Sequence, residues 1–197
     1  MRKLLVVVWL LLPILAGAYH FGPGQEQVKL DEVDKLVAEA EHFLDEMAWE
    51  AAQEKYEEAL TLLPEERIAT RRRMRLEIAK LQMLNKQLPE AHDSLVAMKD
   101  ELLADGEVDR KLLNEVQAAY ANAKYYMTWL MRLEGHVEEV WMPEIETSRQ
   151  VYRQLAEAAR KAGDEKAALR YTEDLEASIK LARMDLEELQ GLPLPSQ

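Results

Sequence analysis

The sequence predicts an all-α fold of about seven helices paired as antiparallel hairpins. Three observations carry that reading. The 197 residues include only seven glycines and few β-branched runs, while Ala, Leu, Glu, Lys and Arg dominate and favour helices. Apolar residues recur at spacings of three and four, as in Leu112, Val116, Tyr120, Ala123, Met127 and Leu130, the period of one helix face. Breakers then divide the chain at helix-length intervals: Pro64, Asn85-Lys86-Gln87, Asp105-Gly106, Gly135 and Gly163-Asp164.

The N-terminus reads as an address. Arg2 and Lys3 precede an apolar run from Leu4 to Ile14, and Ala16-Gly17-Ala18 supplies small residues for cleavage. This is the pattern of a secretory signal peptide. Leu4 to Phe21 also makes 18 largely apolar residues, long enough for an uncleaved membrane anchor. Residues 1–21 are therefore expected to be a signal peptide or a transmembrane anchor helix, with the body exported to the cell envelope in both cases. Residues 22–30 follow as a linker, with the breakers Gly22-Pro23-Gly24 at its start.

The expected helical domain spans residues 31–190. Asp31 is the expected N-cap of helix one, which runs to about Met47. Helix two runs to about Leu63, helix three from Glu65 to Leu84, and helix four from Pro89 to Leu103. Helix five, Asp109 to Glu134, is the longest; Tyr125, Tyr126 and Trp129 widen its apolar stripe. Such a helix is central to a bundle, and Tyr125 or Trp129 is a candidate partner contact. His136 to Met142 is expected as a connector containing Trp141 within the acids Glu138, Glu139, Glu144 and Glu146. Pro143 then starts helix six, and helix seven runs from the Gly163-Asp164 turn to about Gln190. Residues 191–197 form a proline-containing tail.

Within residues 33–66, small and large side chains alternate at Ala40, Phe43, Ala52, Tyr56 and Ala59, with Trp49 opening the second helix and Pro64 closing it. Small residues let helices approach closely and large ones fill the space beside them. This pattern resembles the tetratricopeptide repeat, a helix–turn–helix unit of about 34 residues. Leu36 stands where that family usually has tryptophan, and Glu39 where it has leucine. Ala79, Leu88, Ala91, Leu95 and Met98 form a second, looser match, and Tyr152, Leu155, Ala156 and Ala168 a third. The resemblance implies a short solenoid with a groove lined by the first helix of each hairpin. Carried over, its partner-facing positions include Asp34, Glu41 and Asp45, then Arg73, Lys80 and Met83, then Arg153 and Arg160.

Net charge and motifs bound the function. The chain carries −12, and residues 26–197 carry −14, which repels nucleic acid. Without cysteine there is neither disulfide nor thiolate chemistry. The sequence has no His-Glu-x-x-His, phosphate loop or Gly-x-Ser-x-Gly. Glu39 and His42 make a single Glu-x-x-His, where a di-iron bundle needs two. The basic run Arg67, Arg71-Arg72-Arg73 and Arg75 is read as a helix face pairing with nearby glutamates, or as an anchor for acidic groups. The expectation is a non-enzymatic interaction scaffold with no cofactor, binding a protein or peptide. Self-assembly through helix five is the alternative.

Overall fold

The computed structural model describes Trp9, residues 23–106 and residues 109–190. Among these residues there is no strand, and eight helices are bounded: α1 (Pro23–Asp45), α2 (Trp49–Leu62), α3 (Ile68–Leu84), α4 (Leu88–Ala104), α5 (Arg110–Leu133), α6 (Glu138–Ala162), α7 (Glu165–Arg183) and α8 (Leu186–Gln190). The chain divides into two compact units, Met1–Met74 and Arg75–Gln197. The expected signal or anchor segment, Trp9 apart, and the tail 191–197 lie outside the described residues. Among the described residues no helix is long and apolar enough to cross a membrane.

In the first unit α1 packs against α2. Val33, Leu36, Ala40, Ala52, Tyr56, Ala59 and Leu63 are buried. Leu36 is only 2% exposed. Glu39 reaches across the hairpin to Lys55 at 3.3 Å. The expected linker is corrected: α1 begins at Pro23, so Asp31 lies inside it rather than capping it. Proline is pre-set for the first position of a helix, and Gln27, one turn before Asp31, donates to its carboxylate at 2.9 Å. Helix α2 ends as Pro64 demands, with Leu63 extended at ψ 125°. Its last carbonyls are capped by Arg71, whose guanidinium donates to Leu60 O at 3.1 Å and Leu63 O at 2.7 Å. Helix α3 starts only at Ile68, because residues 65–67 turn after the proline.

Four hairpins close with the same turn. The N–H groups of Ala48, Gln87, His136 and Asp164 donate to the carbonyls of Phe43, Gln82, Met131 and Ala159, five residues back. Inside those loops Met47, Lys86, Gly135 and Gly163 donate to Leu44, Met83, Arg132 and Arg160. These nested bonds satisfy carbonyls left open at a helix end and need a left-handed residue. The φ values are 57°, 63°, 79° and 74° respectively. Two of the four are therefore side-chain-bearing residues held in a region that favours glycine.

Among the described residues of the second unit, α5 contributes to three buried clusters. Leu112, Leu113, Val116, Ala119 and Ala123 meet Leu76, Ala79 and Met83 of α3 and Leu88, Ala91, Leu95, Met98 and Leu102 of α4. Ala121 meets Tyr152, Leu155, Ala156 and Ala159 of α6 and Ala168 and Tyr171 of α7. Trp129 meets Trp141, Ile145, Leu181 and Leu189. The stripe read as a self-assembly face is thus largely occupied inside the unit. Small polar residues mark a buried seam: Ser148 and Ser178 lie 3.2 Å apart, and Thr128 donates to Lys124 O at 2.9 Å.

Two boundaries here are corrected. Helix α6 starts at Glu138, not Pro143, which sits inside it. The proline removes one backbone donor, but the extra turn places Trp141 in the cluster beside Ile145. Helix α7 stops at Arg183, and α8 restarts at Leu186. Asp185 and Glu188 cap it reciprocally: Glu188 N–H donates to Asp185 Oδ1 at 2.8 Å, and Asp185 N–H to Glu188 Oε2 at 3.1 Å. Arg132 donates to Leu181 O and Met184 O, capping α7 much as Arg71 caps α2.

Lys86→Gly removes the left-handed penalty and is expected to raise unfolding free energy by about 1 kcal/mol. Gly163→Ala imposes it and lowers stability by about 1 kcal/mol, although no atom within 4 Å obstructs the new methyl group. Urea unfolding measures both.

Candidate protein-interaction surfaces

The eight residues carried over as partner contacts fall on α1, α3 and α6. Asp34, Glu41 and Asp45 are exposed on α1, and their spacings of seven and four set them on one stripe. Arg73 is exposed on α3. These four belong to the first unit and the other four to the second. Lys80 is half-buried, with Nζ 2.8 Å from Glu77 Oε1. Met83 is corrected: it is 8% exposed and packs in the core around α3, α4 and α5. It lies seven residues after the fully buried Leu76, so the two share a face. Arg153 and Arg160 are exposed, two turns apart on α6, and Arg160 donates to Thr172 Oγ1 at 2.8 Å.

The other sequence candidates are placed as follows. Within the basic run, Arg71 caps α2, Arg67 lies 3.7 Å from Glu26, and Arg75 pairs with Glu101 at 2.7 Å. His42 faces Glu46 at 3.6 Å rather than Glu39. Among the described residues no three His, Asp or Glu side chains gather to hold a metal. Trp129 is buried. Tyr125 is half-buried and meets Tyr126 edge to face at 5.7 Å, and burial raises its phenol pKa.

A polar seam that the sequence did not announce crosses α4, α5 and α6. Lys99 Nζ lies 4.8 Å and Lys124 Nζ 5.5 Å from the ring centre of Tyr120. The His92 ring sits 5.7 Å from the same ring. Lys124 Nζ is 2.5 Å from Glu144 Oε2, with the two side chains 11% and 24% exposed. Cations gain from an aromatic face when water is excluded, and the ion pair ties α5 to α6. His92 Nδ1 lies 3.1 Å from Asp93 Oδ1, while its Nε2 is buried without a partner. The five residues come from three helices, so no local spacing in the sequence could have marked them.

A second polar group joins α5, α6 and α7. The Tyr152 hydroxyl donates to Ala118 O at 3.4 Å. Burial, then the nearby Asp174 carboxylate, pushes the Tyr152 phenol far upward. Burial also raises the half-buried Asp174 carboxyl above its ordinary value, opposed by Arg170. A carboxyl raised on folding favours the folded state most when protonated. Its contribution is present below the ordinary carboxylate range and is lost as pH rises through the raised value.

Asp174→Asn is therefore expected to be more stable than the parent at neutral pH. The difference should shrink as pH falls through the raised value and be smallest below about 4, as read from urea unfolding at neutral pH and at low pH. Lys124→Ala leaves Glu144 without its cation and is expected to cost about 2–4 kcal/mol. Lys124→Met with Glu144→Leu should recover most of that loss in the same assay.

The chain matches no family model, and no curated protein matches it.

Proposed function

We propose that this chain is a non-catalytic scaffold of tetratricopeptide-like hairpins that holds a protein or peptide partner. The observation that carries this reading is the recurrence of one hairpin design. Left-handed Met47, Lys86 and Gly163 each stand fifteenth in segments starting at Val33, Arg72 and Arg149. The alanines expected to seat one helix against the next, Ala40, Ala52, Ala59, Ala79, Ala91, Ala156 and Ala168, are all buried, at most 3% exposed. Hairpins closed and packed in this way are rigid, so little conformational entropy is lost when a partner docks.

Charge gives the surface its selectivity. The acidic stripe Asp34, Glu41 and Asp45 suits cationic groups on a partner, and exposed Arg153 and Arg160 suit anionic ones. The apolar N-terminal run with its small-residue cleavage pattern supports an envelope location for the complex.

The test is capture from envelope extract after crosslinking. The parent is compared with Arg153→Glu/Arg160→Glu and with Asp34→Lys/Glu41→Lys/Asp45→Lys, all exposed positions, with circular dichroism to confirm folding. At least one variant is expected to lose a partner that the parent captures. Full retention by both, or a concentration-dependent oligomer that captures nothing, overturns the reading.

A further inference from the structure

One end of the second unit combines exposed aliphatic side chains with unbalanced acid. Leu130 is 41% exposed, Val137 63%, Val140 45% and Leu186 45%. Single exposed aliphatics are ordinary on a protein surface, but each of these four is a near neighbour in sequence of one buried cluster. Leu130 adjoins Trp129, Val137 and Val140 lie within about one turn of Trp141, and Leu186 lies within one turn of Leu189. Trp129, Trp141 and Leu189 are packed together in that cluster, and α8 packs against α5.

The charges of the same segments are one-sided. Glu134, Glu138, Glu139, Asp185, Glu187 and Glu188 are all exposed. Arg132 is turned inward, donating to Leu181 O and Met184 O with its guanidinium 4.7 Å from the centre of the Trp141 ring. Arg183 is the remaining Lys or Arg of residues 130–140 and 183–190. His136 lies 3.2 Å from Glu134, and Asp185 and Glu188 bind each other's backbone. The side chains of Glu138, Glu139 and Glu187 make neither hydrogen bond nor ion pair among the described residues. First-turn glutamates suit a helix dipole without any partner, so it is their company with exposed aliphatics that indicates a ligand.

We infer that this end docks a cationic amphipathic segment of another protein, with Lys or Arg interleaved among aliphatic residues. Its aliphatic face covers Leu130, Val137, Val140 and Leu186, and its cations meet the surrounding carboxylates. The inference rests on the scaffold reading and names the chemistry of one partner surface. A purely basic chain leaves the aliphatics wet, and an acidic amphipathic chain is repelled.

The test uses the isotope-labelled protein and two synthetic helical peptides with the same leucine face, one bearing lysine and the other glutamate. The lysine peptide is expected to shift the amide signals of residues 130–140 and 186–189, and the glutamate peptide to leave them in place. Glu138→Lys/Glu139→Lys should weaken the lysine peptide at least about tenfold, against less than about twofold for the charge-matched Glu157→Lys/Glu176→Lys elsewhere on α6 and α7. Val137→Ser/Val140→Ser should also weaken it at unchanged charge. A footprint elsewhere, equal weakening by both lysine pairs, or no binding overturns the docking inference. Continued capture of partners from envelope extract would then leave the scaffold reading standing; loss of all capture removes that reading on its own.

Discussion

Helix α5 must bury apolar surface on several sides at once, and the second unit is arranged around that need. Its side chains enter a cluster with α3 and α4, a second with α6 and α7, and a third with α6, α7 and α8. Each buried Leu, Val or Trp contributes about 1.5–3 kcal/mol relative to exposure. The first two clusters overlap along the helix, Ala121 lying between Ala119 and Ala123, so α4 and α6 pack against different faces of it, and Trp129 carries the third cluster toward its C-terminal end. The short α8 follows from the same demand. Leu189 is fully buried beside Trp129, Trp141 and Ile145, and α7 must break at Met184 and Asp185 for the chain to bring it there.

Helix ends are the second constraint. Every helix leaves carbonyls without intrahelical partners. Four ends are closed by nested turn bonds around a left-handed residue. Two others, at α2 and α7, have an extended C-cap and receive an arginine from elsewhere in their own unit. Arginine suits this because its planar fork reaches two carbonyls together. In an acidic protein, several cations are thus committed to internal work: Arg71 and Arg132 at helix ends, Arg75 with Glu101, and Lys124 with Glu144. This commitment leaves surfaces of differing sign. Arg153 and Arg160 stand exposed on α6, while the stripe on α1 and the end near α8 are acidic. In the proposed scaffold, such surfaces would select partners by charge.

The sequence by itself determined the helical class, most helix boundaries and the turns. Local chemistry sets these features. Gly163 supplies a left-handed residue, Asp109 and Asp164 cap the following helices, and Pro64 forces the residue before it to extend. The alanines of the hairpins were legible for the same reason, since their spacing is fixed by helix geometry. Local rules misplaced the ends of α1, α6 and α7. Pro23 begins a helix where a linker was expected, and Pro143 is carried inside one. The Asp185-x-x-Glu188 capping box was a local signal for α8 that was present and overlooked.

Tertiary structure alone decided which candidate contacts face solvent and which polar groups meet. Met83 and Trp129 are buried, while Asp34, Glu41, Asp45, Arg73, Arg153 and Arg160 are exposed. A helical period marks a face, but it does not say whether a neighbouring helix covers that face. The seam of His92, Lys99, Tyr120, Lys124 and Glu144 and the buried cluster of Trp129, Trp141, Ile145, Leu181 and Leu189 join residues far apart in the chain. Their proximity depends on how helices pack, which is set by the summed burial of many side chains rather than by any one spacing.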